Sequence, residues 1–197
     1  MYYVWRFLSR LIYPFLFSIK VHGMENVPRT GAFIFAANHV SNVDPFVMGI
    51  ISPRKIHFVA KESLFKNPIF GWVIRGCGAF PIRRGAADHR SVKEALSYLK
   101  IGDGLMVFPE GTRHQKEGMQ RRINPGIGLL AAKAGAPIVP VFVHGSLDVL
   151  PPGAKWFRHR PVNIYIGQPL QMPAQLKPRD VAEQTMQAVY QLAPPQT

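Results

Sequence analysis

A polar stretch at residues 38–45 separates two apolar runs, and this pattern most constrains how the chain folds. The run before it, at residues 32–37, has the length and composition of a buried strand. The run after it is typical of the start of a helix, with Ser41 or Asn42 as the predicted cap and Pro45 in the first turn. The stretch is therefore predicted to join a strand to a helix, which is where α/β proteins tend to bind ligands.

Within this junction, His39 and Asp44 are the residues whose side chains could take part in acid–base chemistry. His39 is predicted at the end of the strand, and Asp44 follows within the next turn, close enough to reach back to the imidazole. A neutral imidazole accepts a proton well near neutral pH, and a carboxylate fixes its tautomer and stabilises the imidazolium. The pair therefore predicts a general base with an orienting acid. The alternative is a loop histidine beside a helix-capping aspartate.

Two further predicted strands end in polar residues. An apolar run at residues 105–108 leads into the turn Pro-Glu-Gly-Thr-Arg at residues 109–113, and a run at residues 78–82 leads into Arg83 and Arg84. Three strand ends thus supply a His/Asp pair, two arginines and a Glu-Gly-Thr-Arg turn.

The alternation of strands and helices along the chain predicts an α/β fold, with a sheet core flanked by helices. We find no internal repeat, heptad pattern or linker, and the length suits one domain. The predicted organisation is an N-terminal segment at residues 1–20 followed by a single domain at residues 21–197. His57, in an alternating apolar strand, is interpreted as a core or edge histidine.

Residues 1–20 have the periodicity of an amphipathic helix, broken or bent near Pro14. Apolar side chains recur at intervals of three and four, while Arg6, Arg10 and Lys20 fall on the opposite face. The arginines keep the apolar run below the ~18 residues that a membrane span needs. The segment is therefore predicted to lie in the bilayer interface as a membrane-contacting helix. The alternative is a helix that packs its apolar face on the protein's own core.

The composition supports an anionic partner. Lys and Arg number 24 against 11 Asp and Glu, which gives a net charge of +13 and favours nucleic acid or anionic lipid headgroups. Hydrophobic residues make up 47% and charged residues 18% of the chain, which favours lipid. We expect a phospholipid bilayer as the partner and no nucleic acid, with peripheral or monotopic attachment at the cytoplasmic face of the cell membrane. The alternative is a generally basic surface without a specific anionic partner. The single Cys77 excludes an internal disulfide.

At these residues the chain resembles the glycerolipid acyltransferases, specifically the 1-acyl-sn-glycerol-3-phosphate acyltransferases. The His-x-x-x-x-Asp motif of that family matches His39 and Asp44. Its Gly-x-Phe-x-x-x-Arg motif matches Gly78, Phe80 and Arg84.

The other two family motifs follow in the expected order. Phe-Pro-Glu-Gly-Thr-Arg matches residues 108–113 without a gap, and a Val-Pro-Val strand matches residues 139–141. The chain departs from the family at His114, where a serine is frequent, and near Asn124, where a lysine is frequent. Arg121 or Arg122 is a candidate replacement for that lysine.

The resemblance implies a transfer of a fatty acyl group from acyl-CoA or acyl carrier protein to lysophosphatidic acid, giving phosphatidic acid. His39 would act as the base and Asp44 as its orienter, so that no protein nucleophile, metal or other cofactor is required. Backbone N–H groups around Gly111 are candidates for the oxyanion, since glycine lets the main chain approach closely.

The acceptor-binding residues are expected among the motif side chains. Arginines bind phosphate in bidentate fashion, which predicts phosphate contacts for Arg83, Arg84 and Arg113. The resemblance adds Glu110 and Thr112 to acceptor binding, and the alternative for Glu110 is a structural ion pair with an arginine. Two other functions stay open: acyl transfer to a different acceptor, such as glycerol 3-phosphate or another lysolipid, and a non-catalytic basic membrane-binding module.

Overall fold

The computed structural model describes residues 1–83, 88–111, 123–173 and 175–195. Within these ranges, seven strands form one sheet in the order β1-β7-β6-β2-β5-β3-β4. The strands are β1 (Ser18–His22), β2 (Phe33–Ala37), β3 (Ile56–Lys61), β4 (Ala79–Ile82), β5 (Gly104–Val107), β6 (Ile138–His144) and β7 (Pro161–Ile166). The predicted α/β class is thereby confirmed.

The helices connect these strands across both faces of the sheet. They are α1 (Tyr2–Leu16), α2 (Asp44–Ile51), α3 (Pro68–Gly76), α4 (His89–Lys100), α5 (Gly126–Ala134), α6 (Ser146–Val149) and α7 (Pro178–Gln191). Short 3-10 turns follow β1 at Met24–Asn26 and β3 at Glu62–Phe65. α5 ends before Gly135, whose φ of 60° is the left-handed conformation that favours glycine.

The sheet is parallel from β6 through β4, while β7 runs antiparallel to β6, and β1 runs parallel to β7. Every residue of β2 is buried, because helices cover the central strand on both faces. One core lies between the sheet and α1, α2 and α6, and the other lies between the sheet and α4, α5 and α7. The carboxyl ends of the five parallel strands therefore meet at one edge of the sheet.

The junction after β2 differs from the prediction in how its helix begins. α2 starts at Asp44 with Val43 at the cap position, and no side chain caps it, so the predicted cap at Ser41 or Asn42 is wrong. The Ser41 hydroxyl instead accepts the Val43 N–H at 3.3 Å. The Asp44 carboxylate turns back on the N–H groups of Val40 and Ser41, which tightens the loop that carries His39.

The N-terminal helix is shorter than the predicted segment. α1 continues through Pro14 without a break and ends at Leu16, and residues 18–22 already belong to the sheet. The predicted boundary at residue 20 therefore falls inside β1. In the part of the chain that the structure describes, no helix has the length and apolar character needed to cross a bilayer.

The polar face of α1 points into the protein. Arg6 donates to the Ser52 carbonyl at 2.9 Å, and Arg10 donates to the Ile50 carbonyl at 3.0 Å, so both arginines bind the C-terminal end of α2. Such carbonyls lack partners within their own helix and favour cations. Six apolar side chains of α1 are exposed: Val4, Phe7, Leu8, Leu11, Ile12 and Phe15. The alternative, a helix with its apolar face on the core, holds for Tyr13 and Leu16, which pack against the core, and not for these six side chains.

A second histidine–aspartate pair lies away from the carboxyl edge. His57 is buried, its ring stacks on Tyr98 at 3.6 Å, and its Nε2 lies 2.9 Å from Asp103, which also binds Lys55 at 3.0 Å. Burial, followed by the nearby Lys55 charge, lowers the pKa of His57 despite the opposing effect of the Asp103 hydrogen bond. These contacts support the interpretation of His57 as a core histidine.

His57 makes the free energy of unfolding depend on pH. Its pKa in the folded protein lies below the ordinary value of 6.5, so the unfolded chain binds the proton first as the pH falls. The contribution of His57 to the free energy of unfolding is fully present above about pH 6.5. Below that pH it is lost, and the free energy of unfolding falls by at most about 1.4 kcal/mol per pH unit. His57→Gln should flatten this dependence in urea titrations between about pH 7.5 and 5. The exposed control His144→Gln should retain it, and equal slopes in both variants would contradict the assignment.

Candidate active site

The end of β2 is fastened to its neighbour by a side chain. Asn38 is buried, donates to the Val143 carbonyl at 2.9 Å and accepts the Val143 N–H at 2.7 Å. The two hydrogen bonds extend the pairing of β2 with β6 by one step. The Asn38 side-chain amide takes the place that main-chain groups occupy in the rest of the pairing. The position of His39, the next residue, is thereby set by the sheet.

His39 and Asp44 form the oriented pair that the sequence predicts. The His39 Nδ1 lies 2.8 Å from the Asp44 Oδ2, and the two side chains are 14% and 0% exposed, respectively. The Phe108 ring stacks on the imidazole with 4.2 Å between ring centroids. Because Nδ1 is engaged with the carboxylate, Nε2 is the ring nitrogen left to accept a proton.

The buried Asp44 carboxylate is surrounded by hydrogen-bond donors. Its Oδ2 accepts the N–H groups of Val40 and Ser41 at 2.9 and 2.8 Å, in addition to His39. Its Oδ1 accepts the Ser146 hydroxyl at 2.5 Å. A carboxylate removed from water is costly unless it is paired and hydrogen-bonded, and these four donors replace its hydration.

The sequence interpretation missed Ser146. The residue begins α6, directly after β6 and after Gly145, whose φ of 83° turns the chain at the strand end. The available signal was a polar residue shortly after the strand predicted at residues 139–141. The strand order that brings the residue to Asp44 is a property of the tertiary structure alone.

Glu110 connects three elements at this edge. It is buried, it follows β5, and it accepts the His39 N–H at 2.8 Å and the hydroxyl of Tyr190 from α7. The sequence predicted Glu110 in acceptor binding, or else in an ion pair with an arginine. The described contacts show it holding the backbone of His39, and they add Tyr190, which the sequence analysis did not single out.

Gly111 adopts a conformation that requires glycine, with φ at 66°. Its N–H donates to the Phe108 carbonyl at 3.0 Å and is thereby committed to the turn. The predicted oxyanion donor is therefore not the N–H of Gly111 itself in this conformation. The next N–H along the chain belongs to Thr112, which lies outside the described residues.

Arg83 lies apart from the His39–Asp44 pair. It follows β4, which is separated from β2 by β3 and β5, a distance of roughly 14 Å at the usual strand spacing. Its exposed guanidinium pairs with Glu62 at 3.1 Å, and its N–H donates to Asp88 at 2.8 Å. These groups line a small cleft at the end of β4.

Several predicted residues fall outside the described ranges. These are Arg84, Thr112 and Arg113, together with His114, Arg121 and Arg122. Asn124, near the position where the family often has a lysine, accepts the Gly126 N–H at 2.8 Å through its side chain and donates its own N–H to Pro109 at 2.7 Å. It therefore fastens the start of α5 to the Glu110 turn.

The fold and the site together define an α/β protein with a carboxylate-oriented histidine at the carboxyl edge of its sheet. The chain belongs to the acyltransferase family: the family model described as Acyltransferase matches residues 18–144.

Named relatives and a solved structure agree with this assignment. The chain is 32% identical over 154 residues to the 1-acyl-sn-glycerol-3-phosphate acyltransferase of Bacillus subtilis, covering 78% of this chain and 74% of that protein. It is 31% identical over 173 residues to a chloroplastic 1-acyl-sn-glycerol-3-phosphate acyltransferase of Arabidopsis thaliana, covering 85% of this chain and 47% of that protein. The chain thus spans about half the length of the plant relative.

The structural match covers nearly the whole chain. The crystal structure of PlsC, the 1-acyl-sn-glycerophosphate acyltransferase of Thermotoga maritima, superimposes with a TM-score of 0.74 at 27% sequence identity. The match includes 95% of this chain and 78% of that one. The fold is therefore shared along nearly the whole sequence.

The hydrogen bond from Ser146 to Asp44 should be needed for full activity. We expect Ser146→Ala to lower kcat roughly ten- to hundredfold with little change in KM, because a hydrogen bond to a charged group contributes about 1.5–3 kcal/mol. Release of free thiol from an acyl thioester measures the rate.

The matched control for this prediction is Ser41→Ala. It removes another buried hydroxyl from the same site and leaves the Ser41 N–H on Asp44 intact. We expect the kcat of this variant to stay within about twofold of the wild-type value. Equal losses in the two variants would show that Ser146 contributes only packing.

Proposed function

We propose that this protein transfers a fatty acyl group from an acyl thioester to the free hydroxyl of 1-acyl-sn-glycerol 3-phosphate, forming phosphatidic acid. The observation that carries the proposal is the His39–Asp44 pair, with Nε2 left for a proton, in a chain of the acyltransferase family. The acceptor is proposed from the names of the relatives in Bacillus and Arabidopsis and of the Thermotoga structure.

In the proposed reaction, the Nε2 atom of His39 takes the proton of the acceptor hydroxyl while its oxygen attacks the thioester carbonyl. The Asp44 carboxylate balances the charge of the imidazolium through Nδ1. Collapse of the tetrahedral intermediate breaks the carbon–sulfur bond, and the imidazolium returns the proton to the leaving thiolate. The products are an ester and a free thiol, and the scheme uses neither a covalent enzyme intermediate nor a metal or other cofactor.

Glu110 has a proposed role that differs from the sequence prediction. Its contact with the His39 N–H supports a positioning role, in which the carboxylate fixes the loop that carries the base. Thr112 and Arg113, which follow it, are proposed for acceptor binding on the strength of the motif, with a backbone N–H of the same turn for the oxyanion.

The acceptor phosphate is proposed to bind on the β4 side of the site. Arg83 is exposed, and its partner Glu62 is also exposed, so an incoming phosphate can replace that carboxylate at little cost. Arg84, the next residue, matches the family motif and is proposed as the second phosphate ligand. The free hydroxyl and the phosphate of this acceptor are on adjacent carbons, so these arginine side chains would have to extend from β4 toward His39.

His39→Ala should reduce kcat by ~10²–10⁴, because the general base is lost. The matched control is His144→Ala, which removes an exposed histidine from the end of the neighbouring strand β6 and should leave the rate unchanged. Thiol release with lysophosphatidic acid as acceptor measures both. Near-normal turnover of His39→Ala would contradict the mechanism.

A panel of acceptors separates the mechanism from the acceptor assignment. We expect lysophosphatidic acid to give a higher kcat/KM than glycerol 3-phosphate or a lysolipid with a zwitterionic headgroup. If a different acceptor is preferred and the His39→Ala variant is still inactive, the acyl-transfer mechanism stands and only the acceptor assignment is wrong. A panel without any turnover would favour the non-catalytic alternative.

We also propose that the protein associates peripherally with a bilayer through α1. The exposed apolar face of this helix supports the proposal, because an unpartnered apolar surface of this kind marks an interaction site. α3 adds exposed Ile69, Phe70 and Trp72 beside it, and the Trp72 ring contacts Trp5 of α1 at 5.7 Å. An enzyme docked in this way would take a lipid acceptor without carrying its chain through water.

Replacing exposed apolar residues of α1 should weaken vesicle binding. The triple variant Phe7→Gln, Leu11→Gln and Phe15→Gln should lower binding to phosphatidylcholine vesicles at least roughly tenfold, because each buried methylene contributes about 0.8 kcal/mol. Co-sedimentation measures the binding, and circular dichroism checks the helix. Ile101→Gln, an exposed apolar residue of the turn before β5, is the control and should bind like the wild type. Unchanged binding by the triple variant would contradict docking through α1.

A further inference from the structure

The loop between α6 and β7 combines exposed aromatic rings with a cluster of cations. Its residues 155–160 read Lys-Trp-Phe-Arg-His-Arg, and all of them are exposed. Trp156 is 83% exposed, as much as any large apolar residue among those that the structure describes. Single exposed hydrophobic residues are ordinary, but two adjacent aromatic rings flanked by three permanent cations form a specific surface.

This basic-aromatic loop (residues 155–160) is fastened to the end of α1. The His159 Nε2 lies 3.2 Å from the Pro14 carbonyl, and the Ser18 N–H donates to the Arg160 carbonyl at 3.3 Å. The Phe157 ring contacts the buried Phe17 with 6.4 Å between centroids. The loop therefore continues the exposed apolar face of α1 at its C-terminal end.

The same contacts place the loop beside the candidate active site. Phe17 also contacts Phe46 of α2, two residues after Asp44, with 6.5 Å between ring centroids. The loop follows α6, the element that brings Ser146 to Asp44. A ligand surface at this loop would therefore lie near the start of α2, the helix that begins at Asp44.

The cations of the loop are available to an anionic partner. Among the described residues, no carboxylate lies within ion-pair distance of Lys155, Arg158 or Arg160. Cations near an anionic membrane surface each strengthen binding several-fold, and tryptophan prefers the level of the headgroups.

We propose that the basic-aromatic loop is a docking element for anionic phospholipid headgroups, with Trp156 and Phe157 in the interface and Lys155, Arg158 and Arg160 on lipid phosphates. A bilayer fits better than nucleic acid, because nucleic acid would leave the adjoining apolar face of α1 in water. The proposal extends the peripheral association proposed above by naming a second element and a lipid class, and it does not depend on the catalytic role of His39.

A charge-reversal variant with a matched control tests the loop. The loop variant carries Lys155→Glu, Arg158→Glu and Arg160→Glu. The control carries Lys93→Glu, Lys100→Glu and Lys133→Glu on α4 and α5, which are exposed residues on the opposite face of the sheet. Both variants change the net charge equally. Co-sedimentation is measured without substrate, on phosphatidylcholine vesicles with and without phosphatidylglycerol, at low and high salt.

We expect the loop variant to lose at least roughly tenfold in affinity for phosphatidylglycerol-containing vesicles at low salt, and the control to bind like the wild type. On pure phosphatidylcholine, all three proteins should bind alike, because the apolar face of α1 is unchanged. Equal losses in both variants would indicate a net-charge effect, and no loss in either would exclude the loop. Either result overturns the proposal.

A second variant guards against misfolding of the charge-reversed loop. Trp156→Ala keeps every charge and should weaken binding to both kinds of vesicle several-fold, because the interfacial ring is lost. Wild-type binding by Trp156→Ala would overturn the interfacial position of the ring. Transfer to a short-chain soluble acceptor should be unchanged in every loop variant, so a failure of the proposed enzymatic function would be recognised separately.

Discussion

The burial of one carboxylate, that of Asp44, determines how the surrounding elements are arranged. A charge removed from water must be compensated by hydrogen bonds, and the donors come from the loop after β2, the histidine on that loop and the first residue of α6. Satisfying Asp44 therefore fixes the loop conformation, the His39 tautomer and the contact between α6 and α2 together. The geometry of the His39–Asp44 pair is a consequence of this electrostatic requirement.

A second carboxylate, Glu110, extends the same principle. It holds the His39 backbone from the neighbouring strand end and joins it to Tyr190 near the end of the chain. The imidazole is thus oriented through its ring by Asp44 and through its main chain by Glu110. Both anchors are buried and belong to different elements, so His39 is held from the start of α2 and from the turn after β5.

The two helical layers have different surfaces, and the difference follows from how α1 docks. Its arginines bind the exposed carbonyls at the end of α2, so its polar face is used inside the protein and its apolar face is left outside. This orientation reverses that of an ordinary surface helix. The helical layer that contains α2 is also the layer with the exposed apolar side chains. The proposed lipid-binding surface and the proposed active site therefore lie on the same side of the sheet.

The sequence by itself determined the local features. Apolar runs predicted the strands at the site, namely β2, β4, β5 and β6, and the spacing of His39 and Asp44 predicted their pairing, since both lie within one strand–helix junction. Only the tertiary structure could assign Ser146 and Tyr190 to the site, because their partners are 102 and 80 residues away and meet through the strand order. The tertiary structure also determined the orientation of α1. Periodicity defines two faces of a helix, but the carbonyls of α2 bind the arginines of α1 and thereby turn the arginine face inward.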